Sequence, residues 1–184
     1  MPPNTIIHAT GSMTLADFTS PGLIIPHLLG GEAASTIKEL SQVLQIENRV
    51  PDLLHFYQAA LNREFMVSTD TEAGMAFPHA RVPGLKDVSF AFGRGRGPLR
   101  WGPNAARSVR LVFLIAVPAT DATQYLLLIS GLARLSRDSG LVAKLQAARD
   151  TFQILEVLQQ VRLRTSSPAG PGQESGGVKL RLTA

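Results

Sequence analysis

Apolar residues recur along this chain in two rhythms. The densest run, Val109-Arg110-Leu111-Val112-Phe113-Leu114-Ile115-Ala116-Val117, is nearly all apolar and stops at Pro118, the pattern of a central strand buried on both faces. Val88-Ser89-Phe90-Ala91-Phe92 alternates large and small side chains and predicts a strand with unlike faces. Met75–Phe77 predicts a short strand ending at Pro78. Elsewhere the period is helical. Ile37, Leu40, Val43 and Leu44 share one face of a helix over Thr36–Ile46, where Thr36 and Glu39 have capping-box spacing. A second helix starts at Pro51, a favoured first-turn residue, carries Leu53, Leu54, Tyr57, Ala60 and Leu61 on one side, and ends near Glu64. Tyr125, Leu128, Ile129, Leu132 and Leu135 define a helix over Thr123–Arg137, followed by a short helix at Leu141–Ala148. Asp150 and Gln153 are placed to cap a last helix with Phe152, Leu155, Leu158 and Val161 as its apolar positions.

Between these elements, Gly93–Ser108 reads as a long basic loop with room for a short strand at Leu99–Trp101. Residues 1–13 read as irregular. Ser, Pro and Gly dominate Ser166–Gly177, so residues 165–184 are expected to form a flexible tail after a single domain over 14–164. Helices alternate loosely with strands, which predicts an α/β domain: a mixed β-sheet flanked by helices.

Composition narrows the class. The chain has 184 residues and is 45% hydrophobic, enough for one core. It has no apolar run of eighteen residues and no signal-peptide pattern at Met1-Pro2-Pro3-Asn4, so a cytoplasmic protein with no membrane insertion is expected. The absence of cysteine excludes disulfides, thiol catalysis and cysteine-ligated metals. Net charge is +4 and mostly arginine. Arg81, Lys86, Arg94, Arg96, Arg100, Arg107 and Arg110 face one acid, Asp87, in that stretch of sequence. Such a segment either attracts anionic partners or is a solvated loop. The Gly93-Arg94-Gly95-Arg96-Gly97 run resembles an arginine-glycine element. With one interleaved aromatic, Trp101, and no helix-turn-helix or RNA-recognition pattern, the sequence argues against nucleic acid as a partner.

Four histidines are present, His8, His27, His55 and His79, none paired at metal-ligand spacing, and neither a Gly-x-Ser-x-Gly elbow nor a phosphate-binding glycine loop occurs. His79 stands apart because of its setting. It follows a short apolar segment and Pro78, lies beside Arg81, and comes sixteen residues after Arg63. A neutral imidazole is nucleophilic and accepts a phosphoryl group. That transfer is mostly positioning and charge stabilisation, for which Arg63 offers a permanently charged fork and Ser68 and Thr69 offer hydroxyl donors. Gly74 would allow close backbone approach, and Pro78 would stiffen the approach to His79. From these residues alone His79 is either a phosphoryl acceptor or a structural histidine bonded to backbone.

The combination Arg63-Glu64…Ser68-Thr69…Gly74-Met75-Ala76-Phe77-Pro78-His79-Ala80-Arg81-Val82-Pro83-Gly84-Leu85 resembles the fructose/mannitol-type enzyme IIA domain of the bacterial phosphoenolpyruvate-dependent sugar phosphotransferase system. The later Leu111–Pro118 run and the Tyr125–Leu135 helix resemble it too, so the likeness covers roughly Thr14 to Val161. The resemblance implies a mixed sheet flanked by helices, a phosphorylated His79 with Arg63 near the phosphoryl group, HPr as donor and a IIB component as acceptor, with no cofactor and no metal. The related nitrogen-type IIA proteins imply an alternative, a regulatory module whose partner contacts depend on phosphorylation. Many family members carry a second histidine at the start of the helix after the central strand; here that position is Tyr125, a neutral hydrogen-bond donor that cannot become cationic.

Overall fold

The computed structural model describes residues 13–102, 108–120 and 122–163. Two short 3-10 turns, Leu15–Phe18 and Pro21–Leu23, lead into β1 (Ile24–Leu28), α1 (Ala33–Ile46) and α2 (Leu53–Met66). Then follow β2 (Met75–Ala76), β3 (His79–Val82), β4 (Ser89–Leu99), β5 (Val109–Pro118), α3 (Thr123–Arg137), α4 (Ser139–Ala147) and α5 (Thr151–Gln159). The five strands form one mixed sheet in the order β1-β4-β5, with β2 and β3 both on the far side of β5. β4 is antiparallel to β5 while the other pairings are parallel, so the predicted α/β class with a mixed sheet holds.

The sheet divides two cores. On one face Phe90, Phe92, Leu111, Phe113 and Ile115 meet Leu128 and Leu132 of α3, Leu145 of α4 and Ile154 and Leu158 of α5. On the other, the small residues Ala91 and Ala116 with Val112 and Leu114 let α1 and α2 approach through Ile37, Leu40, Leu44, Phe56 and Ala60. This accounts for the apolar run in β5: every residue there except Arg110 is buried, because helices cover both faces. Alternation in Val88–Phe92 sends Val88, Phe90 and Phe92 to the α3–α5 face and Ala91 to the α1–α2 face.

Several boundaries differ from the sequence expectation. α1 starts at Ala33, not Thr36; Glu32 caps it, Thr36 is fully buried inside the helix, and Glu39 instead accepts from the backbone N–H groups of Leu29 and Gly30. α2 starts at Leu53, after the cap Asp52, and runs on to Met66. Its buried anchor is Phe56, whereas Leu54 points to solvent. In α5, Asp150 accepts from the N–H of Gln153 as its cap, but Phe152 is exposed and Ile154 and Val157 carry the apolar face. β1, unassigned in the sequence reading, is a short strand with mixed burial that pairs β4 at the sheet edge.

The largest correction concerns Gly93–Ser108. Its first half is not a loop: β4 continues through Leu99, paired with β1 on one side and β5 on the other. Glycine at 93 supports this pairing, since a Cβ there would stand 2.7 Å from the Leu28 side chain. Residues 103–107 of that segment, along with residues 1–12 and 164–184, lie outside the described residues, as do most of the expected irregular start and the whole expected tail.

Candidate active site

β2 and β3 run along the same side of β5 with a break at Phe77–Pro78 between them. Proline has no N–H to donate, so the ladder is interrupted there and resumes with His79 opposite Ile115. The break is held by three hydrogen bonds. The Phe77 N–H donates to Thr69 Oγ1 at 2.9 Å, the Ile115 N–H donates to Pro78 O at 2.9 Å, and His79 Nδ1 lies 3.1 Å from Phe77 O. A carbonyl oxygen only accepts, so Nδ1 carries a proton and, in the neutral ring, the lone pair is on Nε2. His79 is half-buried at the first position of β3, past the end of the expected Met75–Phe77 strand.

Upstream, the turn that leads into β2 depends on glycine. Gly74 has φ +72°, and its carbonyl accepts from the N–H groups of Arg110 and Leu111. A Cβ at this position would meet Ser108 O at 2.9 Å, so the close approach expected of Gly74 is present.

Beneath the break sits a residue that the sequence reading assigned no role. Glu64, 4% exposed, accepts from the Thr69 N–H at 2.7 Å, from Thr69 Oγ1 at 2.8 Å and from the Trp101 indole N–H at 2.8 Å. A buried carboxylate is tolerated when its oxygens are saturated with donors, and here the donors come from the 68–69 segment and from the end of β4. Thr69 is therefore a link: its hydroxyl donates to Glu64 and accepts from Phe77. Ser68 Oγ donates to Asp70 Oδ1 at 2.5 Å, with Glu64 Oε1 as a longer alternative at 3.2 Å. Trp101 is buried and bonded to Glu64, so it is not available to stack on a nucleic-acid base.

Arg63 lies near the C-terminal end of α2, which packs against β3, and its Nη1 donates to Val67 O at 3.0 Å. On the α3 side, the Tyr125 ring lies 6.0 Å from the His79 ring, centroid to centroid, inclined at 43°. The Arg81 guanidinium carbon lies 5.9 Å from the centre of the same Tyr125 ring. Arg81 is two positions after His79 in β3, so both side chains project from one face of the strand, and that period-2 spacing was the available signal for adding Arg81 to the site. Ser68, Thr69, His79 and Tyr125 thus come from three different chain segments. At the ends of α2 and α3, Phe65, Met66, Val67 and Leu126 remain 62–79% exposed. Among the described residues no helix is long and apolar enough to cross a membrane.

The Nitrogen regulatory protein of Bradyrhizobium diazoefficiens is 29% identical over 146 residues, which is 79% of this chain and 95% of that one. Nitrogen Regulatory Protein IIA-Ntr from Neisseria meningitidis superposes with a TM-score of 0.67 at 22% identity, over 78% of this chain and 98% of that one. IIA mannitol from Escherichia coli, solved in complex with phosphorylated IIB mannitol, superposes with a TM-score of 0.61 at 21% identity, over 77% of this chain and 96% of that one. The family model for the phosphoenolpyruvate-dependent sugar phosphotransferase system, EIIA 2, matches residues 17–161, from the first 3-10 turn to the end of α5, and the chain belongs to that family.

Proposed function

We propose that this protein is a phosphocarrier that takes a phosphoryl group on Nε2 of His79 from HPr and passes it to a IIB component. The observation that carries this reading is the contact between His79 Nδ1 and Phe77 O, which fixes the tautomer and leaves Nε2 as the nucleophile. The Nε2 lone pair forms the new P–N bond as the P–N bond of phospho-HPr breaks, and the departing electron pair stays on the HPr imidazole. The His79 ring, now cationic, keeps its Nδ1–H on the Phe77 carbonyl. Neither a metal nor a nucleotide is needed, because the donor already carries an activated phosphoryl group. Arg63 and Arg81 supply positive charge for the phosphoryl oxygens, and the Tyr125 hydroxyl supplies one donor. Thr69 holds the 77–79 break in place, and Ser68 lies beside it, bonded to Asp70 and Glu64. Donor and acceptor both bring a reacting atom in line to the same nitrogen and so share one face, for which Phe65, Met66, Val67 and Leu126 form an apolar rim. The Escherichia coli IIA mannitol complex with phosphorylated IIB supports the acceptor assignment.

The test is transfer of label from phosphoenolpyruvate through enzyme I and HPr to the purified protein. Acid-labile, alkali-stable label on Nε2 is the expected result; no label from a demonstrably active cognate HPr overturns the carrier reading. A second reading is supported by the likeness to the Bradyrhizobium nitrogen regulatory protein and by Tyr125. In it the output is a contact with a regulatory target, altered by the added charge of roughly −1.5 to −2 on phosphorylation. Adding a cognate IIB domain separates the two: discharge of label to it identifies the carrier, and retention of label identifies the regulator.

Tyr125→Phe is expected to slow labelling about tenfold or more, since a hydrogen bond to a charged group contributes about 1.5–3 kcal/mol and about 1.4 kcal/mol is tenfold in rate. Single-turnover labelling by HPr measures this. An unchanged rate would leave the ring only a packing role beside His79 and Arg81.

A further inference from the structure

A second cationic cluster lies away from His79, on the same face of the sheet but toward the other end of its strands. His79 is in register with Ile115 and Arg94 with Leu111, so the two levels are four residues apart on β5, about 13 Å at 3.3 Å per residue. The cluster is assembled by an irregularity in β1. Ile24 and Ile25 pair with Phe92 and Gly93, yet Leu28 pairs with Gly95, so Pro26 and His27 together oppose Arg94. Such a bulge re-aims side chains: Leu28 packs in the α1–α2 core, while His27 is delivered to the side of Arg94. Arg94 Nη2 donates to His27 Nδ1 at 3.0 Å, and Arg94 Nη1 donates to the Gln146 carbonyl of α4 at 3.2 Å. The Arg94 Nε–H is buried with no partner. Arg96, two positions on and on the same face of β4, borders with Arg94 and His27 an open cavity of about 360 Å³. Among the described residues neither arginine forms an ion pair; the salt bridge present is Arg100 to Glu32.

We infer that this cavity is an anion site for a phosphate-class oxyanion, free or as a small phosphomonoester. Two guanidinium groups and an imidazole line this cavity with no carboxylate among them, and cations without a counter-charge attract an anion. Guanidinium forks match the paired oxygens of a tetrahedral oxyanion, and His27 Nε2–H adds a third donor direction. The α4 carbonyl holds Arg94 in place, so the site is preformed on strand and helix. It is independent of the chemistry at His79.

Titration of the full chain with inorganic phosphate and, separately, with phosphoserine tests this, read by backbone amide shifts at low ionic strength. The expected result is saturable shifts at His27, Gly93–Gly97 and Gln146. His27→Gln and Arg96→Gln, both at exposed positions that leave the Arg94–Gln146 contact intact, should each weaken binding about tenfold while labelling of His79 by HPr is unchanged. Tighter binding of phosphoserine than of phosphate would assign the site to phosphomonoesters, and the reverse order to free phosphate; either supports the site. Shifts confined to the surroundings of His79, or shifts at the cluster that both variants retain in full, would overturn it. So would binding by a short single-stranded DNA with no response to either small anion.

Discussion

His79→Ala is expected to abolish acid-labile labelling completely while leaving the fold intact. The expectation follows from where the ring sits. It is half-buried at the first position of an edge strand, and its one fixed hydrogen bond goes to a carbonyl two residues before it. Removing a half-buried ring costs little packing and frees the Phe77 carbonyl to bond water. The backbone of the break remains tied by the Phe77 N–H to Thr69 and by Pro78 O to Ile115. Chemistry, by contrast, loses its only nucleophile at that place. Intact mass after incubation with phosphoenolpyruvate, enzyme I and HPr measures the outcome, with thermal melting as the control for folding. Label retained by a folded His79→Ala chain would place the acceptor elsewhere, at His27 or His55 first, and would reduce His79 to a structural residue.

Glu64→Ala carries the second large effect, and it runs through stability. The side chain accepts from the Trp101 indole, the Thr69 amide and the Thr69 hydroxyl, and Trp101 is 2% exposed. Each buried donor left unpaired costs about 1–3 kcal/mol, so the loss is expected to be about 3 kcal/mol or more. For a chain of this size about 1 kcal/mol moves Tm by roughly 2–4 °C, which sets the expected fall at roughly 6–12 °C. Transfer should suffer as well, because Thr69 is the link between Glu64 and the Phe77 amide, and a released break no longer presents Nε2 in one direction. Glu64→Gln should fall between the two, since its amide keeps one accepting oxygen but turns two donors toward groups that already donate. Calorimetry on the three proteins, with single-turnover labelling at a temperature where all are folded, measures both parts. A Glu64→Ala melt within about 2 °C of the parent would show that the network contributes little.

Much of the fold could be read from local periodicity. The apolar run in β5, the stripe of α3 and the Asp150 cap of α5 depend on residues close in sequence, and burial on two faces, on one stripe or at a helix start leaves its own pattern. Boundaries were less legible where a side chain acts at a distance. Thr36 and Glu39 have the spacing of a capping box, but Glu39 is drawn to the amides of Leu29 and Gly30 in the preceding loop, and Glu32 takes the cap. Gly93–Leu99, rich in glycine and arginine, has the composition of a loop. It is a strand because β1 and β5 offer hydrogen bonds on both sides, a gain no local propensity encodes.

At the site the division is similar. One histidine, placed after a proline and near arginines and hydroxyls, stands out along the chain, because nucleophile, charge and donors are properties of residue types. Which nitrogen of its neutral ring is free depends on the direction of the Phe77 carbonyl, which the folded chain sets. Tertiary packing likewise ties the Glu64 network to the break through Thr69, sets Arg81 over the Tyr125 ring, and turns His27 onto Arg94 through a bulge. Each of these is a contact between groups far apart or oppositely directed in the extended chain. Chain geometry creates them only when sheet register and helix packing are complete.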